Sequence, residues 1–198
     1  MKLSIPKNKI FFNEIDHQYF LDEDETKPLI GVSALMKYFG YVPDYDRFPA
    51  AKRAADYGTA VHLTVKLNDE GTLESYDPQI EPEVKAWREL CAKNKMKFIS
   101  IEQPLVSTVW NFAGIPDRIT EAGDLIDIKT GLPQPYHAIQ TALYKILAEE
   151  NFDIKIRTRL VVELRKGHKI HIHKDRSDES VAKSMLTLYR DKLRKGLV

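Results

Sequence analysis

The chain has 198 residues, 43% hydrophobic and 30% charged, a size and balance that allow one ample core and exclude a disordered or fibrous polymer. Its 30 basic against 29 acidic residues leave a net charge of +1, so any polyanionic partner would have to meet a local basic patch. Cys91 is the single cysteine, which excludes an intrachain disulfide, a four-cysteine zinc site and a cysteine-held iron–sulfur cluster.

The N-terminal stretch MKLSIPKNKIFF has no apolar run of the signal-peptide kind, and nothing later reaches membrane-spanning length. An intracellular, cytoplasmic and soluble protein is therefore expected. Residues 9–21 (KIFFNEIDHQYFL) predict two aromatic-rich strands joined by a turn at 13–16. The acidic run 22–25 lacks the alternating spacing and central glycine of a calcium loop, and reads as a solvated turn. Ser33 fits the N-cap of a short helix over 34–39. A longer helix is predicted after Pro49, through AAKRAADYGTAVHLTVKLND, and another over 81–95, where Val84, Trp87, Leu90 and Cys91 recur at helical spacing. Strands follow at 97–106, 109–119 and 125–129, the last two joined by a turn around 121–123. After GLPQP come a helix over 136–150, strands over 155–164 and 169–173 joined by RKGH, and a basic amphipathic helix over 178–194. This order predicts one α/β domain, a mixed central β-sheet flanked by helices, with an N-terminal β-hairpin. Its parts are hairpin and helices at 1–96, a catalytic core at 97–173 and a C-terminal helix at 174–198.

The segment DLIDIKTG breaks the pattern of a buried strand. In an extended chain Leu125, Asp127 and Lys129 share one face, Ile126 and Ile128 the other. Two charges on a partly buried face are costly without partners. Asp117, ten residues earlier in GIPDRI, lies across a hairpin from Asp127, so both carboxylates can converge at one end of the sheet. They would repel each other unless a cation lay between them. Oxygen ligands of this kind suit Mg2+ or Mn2+, and the Ile128 carbonyl could add a third. Lys129 would then hold a water or a phosphate beside the metal, the layout for phosphodiester hydrolysis. Alone, an Asp-x-Lys strand is often a surface ion pair; the matched Pro116–Asp117 upstream makes the pattern more specific.

Pro116, Asp117, Asp127 and Lys129 together resemble the PD-(D/E)XK nuclease core, and in particular its RecB-like and phage-exonuclease branch. GTAVH, Gly58 to His62, matches that branch's Gly-x-x-x-His helix, and QTALY, Gln140 to Tyr144, its Gln-x-x-x-Tyr helix. HQYFLDEDETKPLIGVSALMKYF is similar to the N-terminal strand, turn and serine-bearing helix of phage-type members and of mitochondrial genome maintenance exonuclease-like proteins. The resemblance spans most of the chain. It implies Asp117, Asp127 and Lys129 as catalytic residues and His62, Asp117, Asp127 and Ile128 around the metal, with Gln140, Tyr144, Ser33, Lys52 and Arg53 towards DNA. An additional acid would be Glu102, on the first core strand, or Glu83, on the preceding helix, with Glu102 placed slightly ahead.

Read from the residues alone, a lone helical histidine such as His62 is more often a satisfied core residue. Gly58, one turn earlier, favours a close approach there. Gln140 and Tyr144 share a helix face with Tyr136 that solvation alone would explain, opposite a core face of Ile139, Leu143, Ile146 and Leu147. His171 and His173 share a strand face, better read as an exposed hairpin edge than as a zinc site. Arg47, Lys52 and Arg53, and at the C-terminus Arg190, Lys192, Arg194 and Lys195, line either a DNA path or ordinary solvated helix faces. The resemblance implies a metal-dependent, cluster-free DNA exonuclease, acting on linear single- or double-stranded DNA in phage or bacterial replication, recombination or repair. It would work alone or with replication or recombination partner proteins. The alternatives are an endonuclease using the same site and a catalytically silent DNA-binding module.

Overall fold

The computed structural model describes residues 3–13, 16–21, 28–43, 49–165 and 167–198. The acidic run 22–25 and Arg47 lie outside them. Strands β1 (Ile10–Asn13) and β2 (Gln18–Leu21) form the expected hairpin, with Phe11 opposite Phe20 and Phe12 opposite Tyr19. A strand not foreseen, β3 (Pro28–Gly31), pairs with β2 and leads directly into α1 (Val32–Tyr38). This corrects the expected cap: Gly31 holds the N-cap position, with no side-chain cap bond, and Ser33 lies exposed inside the first turn. Gly31 is the last β3 residue in register with a later strand, and a Cβ there would come within 2.9 Å of the Tyr19 ring.

Helix α2 (Pro49–Glu70) is exposed through its first turns and buries Val61, Thr64 and Val65 further on. A short turn at Pro78–Ile80, capped by Asp77, leads into α3 (Glu81–Asn94), where Val84, Trp87 and Leu90 are buried as their spacing predicts.

The two long strands expected next are each broken. The first becomes β4 (Phe98–Ile101) and β5 (Leu105–Ser107), interrupted where Glu102 adopts a left-handed φ of 43° and Pro104 follows. The second becomes β6 (Phe112–Gly114) and β7 (Arg118–Thr120), separated by residues 115–117 around Pro116, which has no N–H for a ladder. β5 pairs with β6, and β4 with β7. One bent hairpin therefore serves two sheets. The rest of the chain supplies β8 (Asp124–Lys129), α4 (His137–Asn151), β9 (Thr158–Glu163), β10 (Lys169–His173) and α5 (Arg176–Arg194), the last capped by Asp175.

The sheets run β1-β2-β3-β6-β5 and β10-β9-β8-β7-β4. Pairs β3–β6 and β8–β9 are parallel, and α4 makes the crossover from β8 to β9. The result is a mixed α/β architecture with helices on the sheets and an N-terminal hairpin. β8 separates two cores. Leu125 packs with α1, α4 and α5, whereas Ile126 and Ile128 pack with α2 and α3. Asp127 and Lys129 thus share the Leu125 face, as the period-2 pattern requires. Among the described residues no helix is long and apolar enough to cross a membrane.

Candidate metal centre

The break between β6 and β7 leaves Asp117 free of the ladder at the edge of β8. Its Oδ2 accepts a hydrogen bond from the Ile128 N–H at 2.6 Å. In an extended residue N–H and C=O leave the same edge, so the Ile128 carbonyl also faces this side. The other carboxylate oxygen, Oδ1, lies 3.4 Å from Nδ1 of His62, on α2. One turn earlier on α2, a Cβ at Gly58 would lie 3.3 Å from Oγ1 of Thr130. The missing side chain lets the residue after Lys129 pass close to the helix.

Among the described residues, one group brings three metal-ligating side chains together: ligand atoms of His62, Glu102 and Asp117 all lie within 4.8 Å of one another. An imidazole and two carboxylates at that spacing fit a single divalent cation, Mn2+ as well as Mg2+. Glu102 joins through the break after β4, and its N–H donates to the Asp117 carbonyl at 3.0 Å. Glu83 lies elsewhere, near the Tyr57 hydroxyl, and burial together with that carboxylate pushes Tyr57 up to about 12.

Asp127 stands outside this trio. Its carboxylate, 3% exposed, holds the Lys129 ammonium at 2.9 and 3.0 Å, and Lys129 keeps 23% of its side chain open to solvent. Burial and the neighbouring Asp117 raise the Asp127 carboxyl above its usual range, although Lys129 opposes the rise. Burial would also raise Asp117, but His62, Lys129 and the Ile128 N–H outweigh it and hold Asp117 low. Burial disfavours charge on His62 and Lys129; the carboxylates override it and keep both above their usual values. Glu102 is raised, first by burial and then by Asp117, against the pull of Arg118. The cluster thus sets two basic side chains against three acids.

Of the residues expected towards DNA, Gln140 is half-buried and donates to the Tyr144 hydroxyl at 3.4 Å. Tyr144 is a core residue and not part of a solvated face; its ring packs beneath Gly114, whose Cβ would meet it at 2.9 Å. Lys52 and Arg53 are exposed on the first turns of α2. His171 lies on the edge strand β10, where its Nε2 is 3.3 Å from Oε2 of Glu163. Two residues around the trio, Arg118 and Asp69, went unread in the sequence, and Trp87 was read only as part of the apolar face of α3. Arg118 carried the one available signal, a charge inside an otherwise apolar strand.

No family model matches the chain, and no curated protein sequence does. Among solved structures, an alkaline exonuclease from Laribacter hongkongensis, LHK-Exo, aligns with a TM-score of 0.50 and 12% identity, over 85% of this chain and 89% of that one. The same exonuclease in complex with dAMP gives a TM-score of 0.47 at 13% identity, with the same coverage. A structure from Eubacterium rectale described as an exonuclease gives 0.46 at 14% identity, over 86% of this chain and 82% of that one. At such identities the likeness is one of fold, the fold of the alkaline exonuclease.

Proposed function

We propose that the chain is a metal-dependent deoxyribonuclease that hydrolyses phosphodiester bonds from the ends of linear DNA. The observation that carries this reading is the gathering of His62, Glu102 and Asp117 beside the Lys129–Asp127 pair, at the break where one hairpin passes between two sheets. His62, Glu102 and Asp117 would hold Mg2+ or Mn2+, with Asp127 and the Ile128 carbonyl next to them. A divalent cation there supplies charge neutralisation at the phosphate and a bound water of lowered pKa. Lys129 stays protonated, so its role is to donate hydrogen bonds to a phosphate oxygen and to the attacking water. Asp127 restrains the ammonium so that it faces the trio. Lys52 and Arg53, on the exposed turns of α2, would meet the DNA backbone, and Gln140 and Tyr144, on α4, would act from the other side. End-directed action in DNA replication, recombination or repair, within the cytoplasm, is the finer part of this proposal.

The test is digestion of end-labelled single-stranded, duplex and covalently closed circular DNA, with Mg2+, Mn2+ or EDTA. Metal-dependent loss of the linear substrates is expected, with the circle left intact, and Asp117→Asn and Lys129→Ala should each lower the rate at least about 100-fold. Equal activity of both variants would overturn the site. Cleavage of the circle would make the enzyme an endonuclease, and DNA binding without cleavage under either metal would make the chain a binding module.

A further inference from the structure

Arg118 is fully buried, with 0% of its side chain exposed, and its guanidinium lies 5.8 Å from the Trp87 ring and 6.0 Å from the Phe98 ring, which stack on each other beside it. Burying a guanidinium costs several kcal/mol unless its donors are matched, and here Nε and Nη1 find specific partners while Nη2 is buried without one. Nε donates to Oδ2 of Asp69 at 2.8 Å. Nη1 donates to Oε1 of Glu102 at 3.2 Å and to the carbonyl of Asp117 at 2.7 Å. That carbonyl is the one that also accepts the Glu102 N–H. Asp69, itself buried, takes both its oxygens to Nε1 of Trp87, at 3.0 and 2.9 Å. Asp69 lies two turns after His62 on α2, so the two share a helix face. A single guanidinium therefore touches each of the three segments that carry the trio: α2 through Asp69, the end of β4 through Glu102 itself, and the start of β7 through the Asp117 backbone.

We propose that Arg118, fixed by Asp69 and Trp87, is a positioning residue that sets the spacing of His62, Glu102 and Asp117, and with it the affinity of the site for a divalent cation. The inference rests on the metal-dependent reading above. An apolar side chain of similar volume would fill the same space beside the two rings. It would leave Glu102, in its left-handed conformation, with no side-chain anchor. Only Oε1 of Glu102 is engaged by Arg118, so Oε2 remains for a metal. Partners of this outer kind typically alter metal affinity by about 10- to 100-fold.

The experiment is a calorimetric titration of Mn2+ into the wild-type protein and into Arg118→Lys, Asp69→Asn and Val84→Ala, each first compared by thermal melt. Val84→Ala opens the same α2–α3 core without touching the chain of hydrogen bonds, and so reports what lost stability alone does. Arg118→Lys keeps the charge but loses the fork, and Asp69→Asn covers the case in which the lysine variant fails to fold. The expected result is Mn2+ binding about 10-fold or more weaker in Arg118→Lys and Asp69→Asn, with Val84→Ala binding like the wild type. DNA cleavage by the two weakened variants should recover towards the wild-type rate as Mn2+ is raised. If all four proteins bind Mn2+ alike, the role assigned to Arg118 is wrong while the metal-dependent reading stands. If the wild type binds no Mn2+, both fall together.

Discussion

Among the described residues Arg118, Asp127 and Arg159 are buried charges that each face another, and the histidine just after the site shows what happens when one does not. His137 opens α4 with its Nδ1 accepting the Gln134 N–H at 3.0 Å, a bond that requires an unprotonated nitrogen. Burial, then the nearby charges of Lys129 and His173, depress its pKa from the usual 6.5 to about 3. The folded protein therefore binds fewer protons than the unfolded chain between those values. The stability contributed by neutral His137 is complete above pH 6.5 and is lost as pH falls towards 3. The loss between pH 7 and pH 5 should be about 1–2 kcal/mol greater in the wild type than in His137→Gln. Urea midpoints of both proteins at the two pH values check this, and equal losses would count against it. The same charge logic explains what could be read at this scale. Asp117, Asp127 and Lys129 stand out because they interrupt apolar strands. Arg118 interrupts one too, but a strand pattern does not say whether a buried charge faces a ligand or another acid. Asp69 gives no signal at all: in LNDE it looks like a solvated helix end, and its burial depends on how α2 lies against β7.

At the level of elements, α2, α3, α4 and α5 were legible to within a few residues, α3 and α4 because each carries a continuous apolar stripe. The strands were less legible. Residues 97–106 and 109–119 each look like one apolar run, whereas Pro104 and Pro116 mark points where the chain leaves one sheet for another. A proline announces a break but not the new partner. Strand β3 was missed because its pairing with β6 joins residues far apart in sequence. The elements are also tied by a second buried guanidinium. Arg159, on β9, donates from Nη1 to the Ala138 carbonyl at 2.6 Å, and from Nη2 to the Asp175 carbonyl at 2.8 Å and to Oδ2 of Asp178 at 3.0 Å. It joins the start of α4 and the start of α5 to the sheet that carries β8. Arg159→Leu should cost about 2–4 kcal/mol, since it strands two carbonyls and a partly buried carboxylate. Asp178→Asn, which keeps an acceptor, should cost about 1 kcal/mol or less. Chemical denaturation of both checks the order; a larger loss from Asp178→Asn would contradict it.

At the scale of the whole molecule, the site exists because neither sheet is complete without the other. The bent hairpin gives β4 and β7 to one sheet and β5 and β6 to the other, and His62, Glu102 and Asp117 meet where it bends. β8 presents Leu125 to one core and Ile126 and Ile128 to the second, so melting either core strips a face from the strand that carries Asp127 and Lys129. A chain of 198 residues lies above the size at which all-or-none unfolding is usual. These shared strands nevertheless predict one cooperative transition. The two tryptophans make it measurable, since Trp87 is buried in the α2–α3 core and Trp110 packs against the α1–α4–α5 core. In Trp110→Phe the remaining fluorescence reports the first core, and in Trp87→Phe the second, while far-UV circular dichroism of each variant reports the helices. Within each variant the fluorescence and dichroism midpoints in urea should coincide. Midpoints that separate would show that the cores unfold independently, and the trio would then lie at a junction that opens before the rest of the protein.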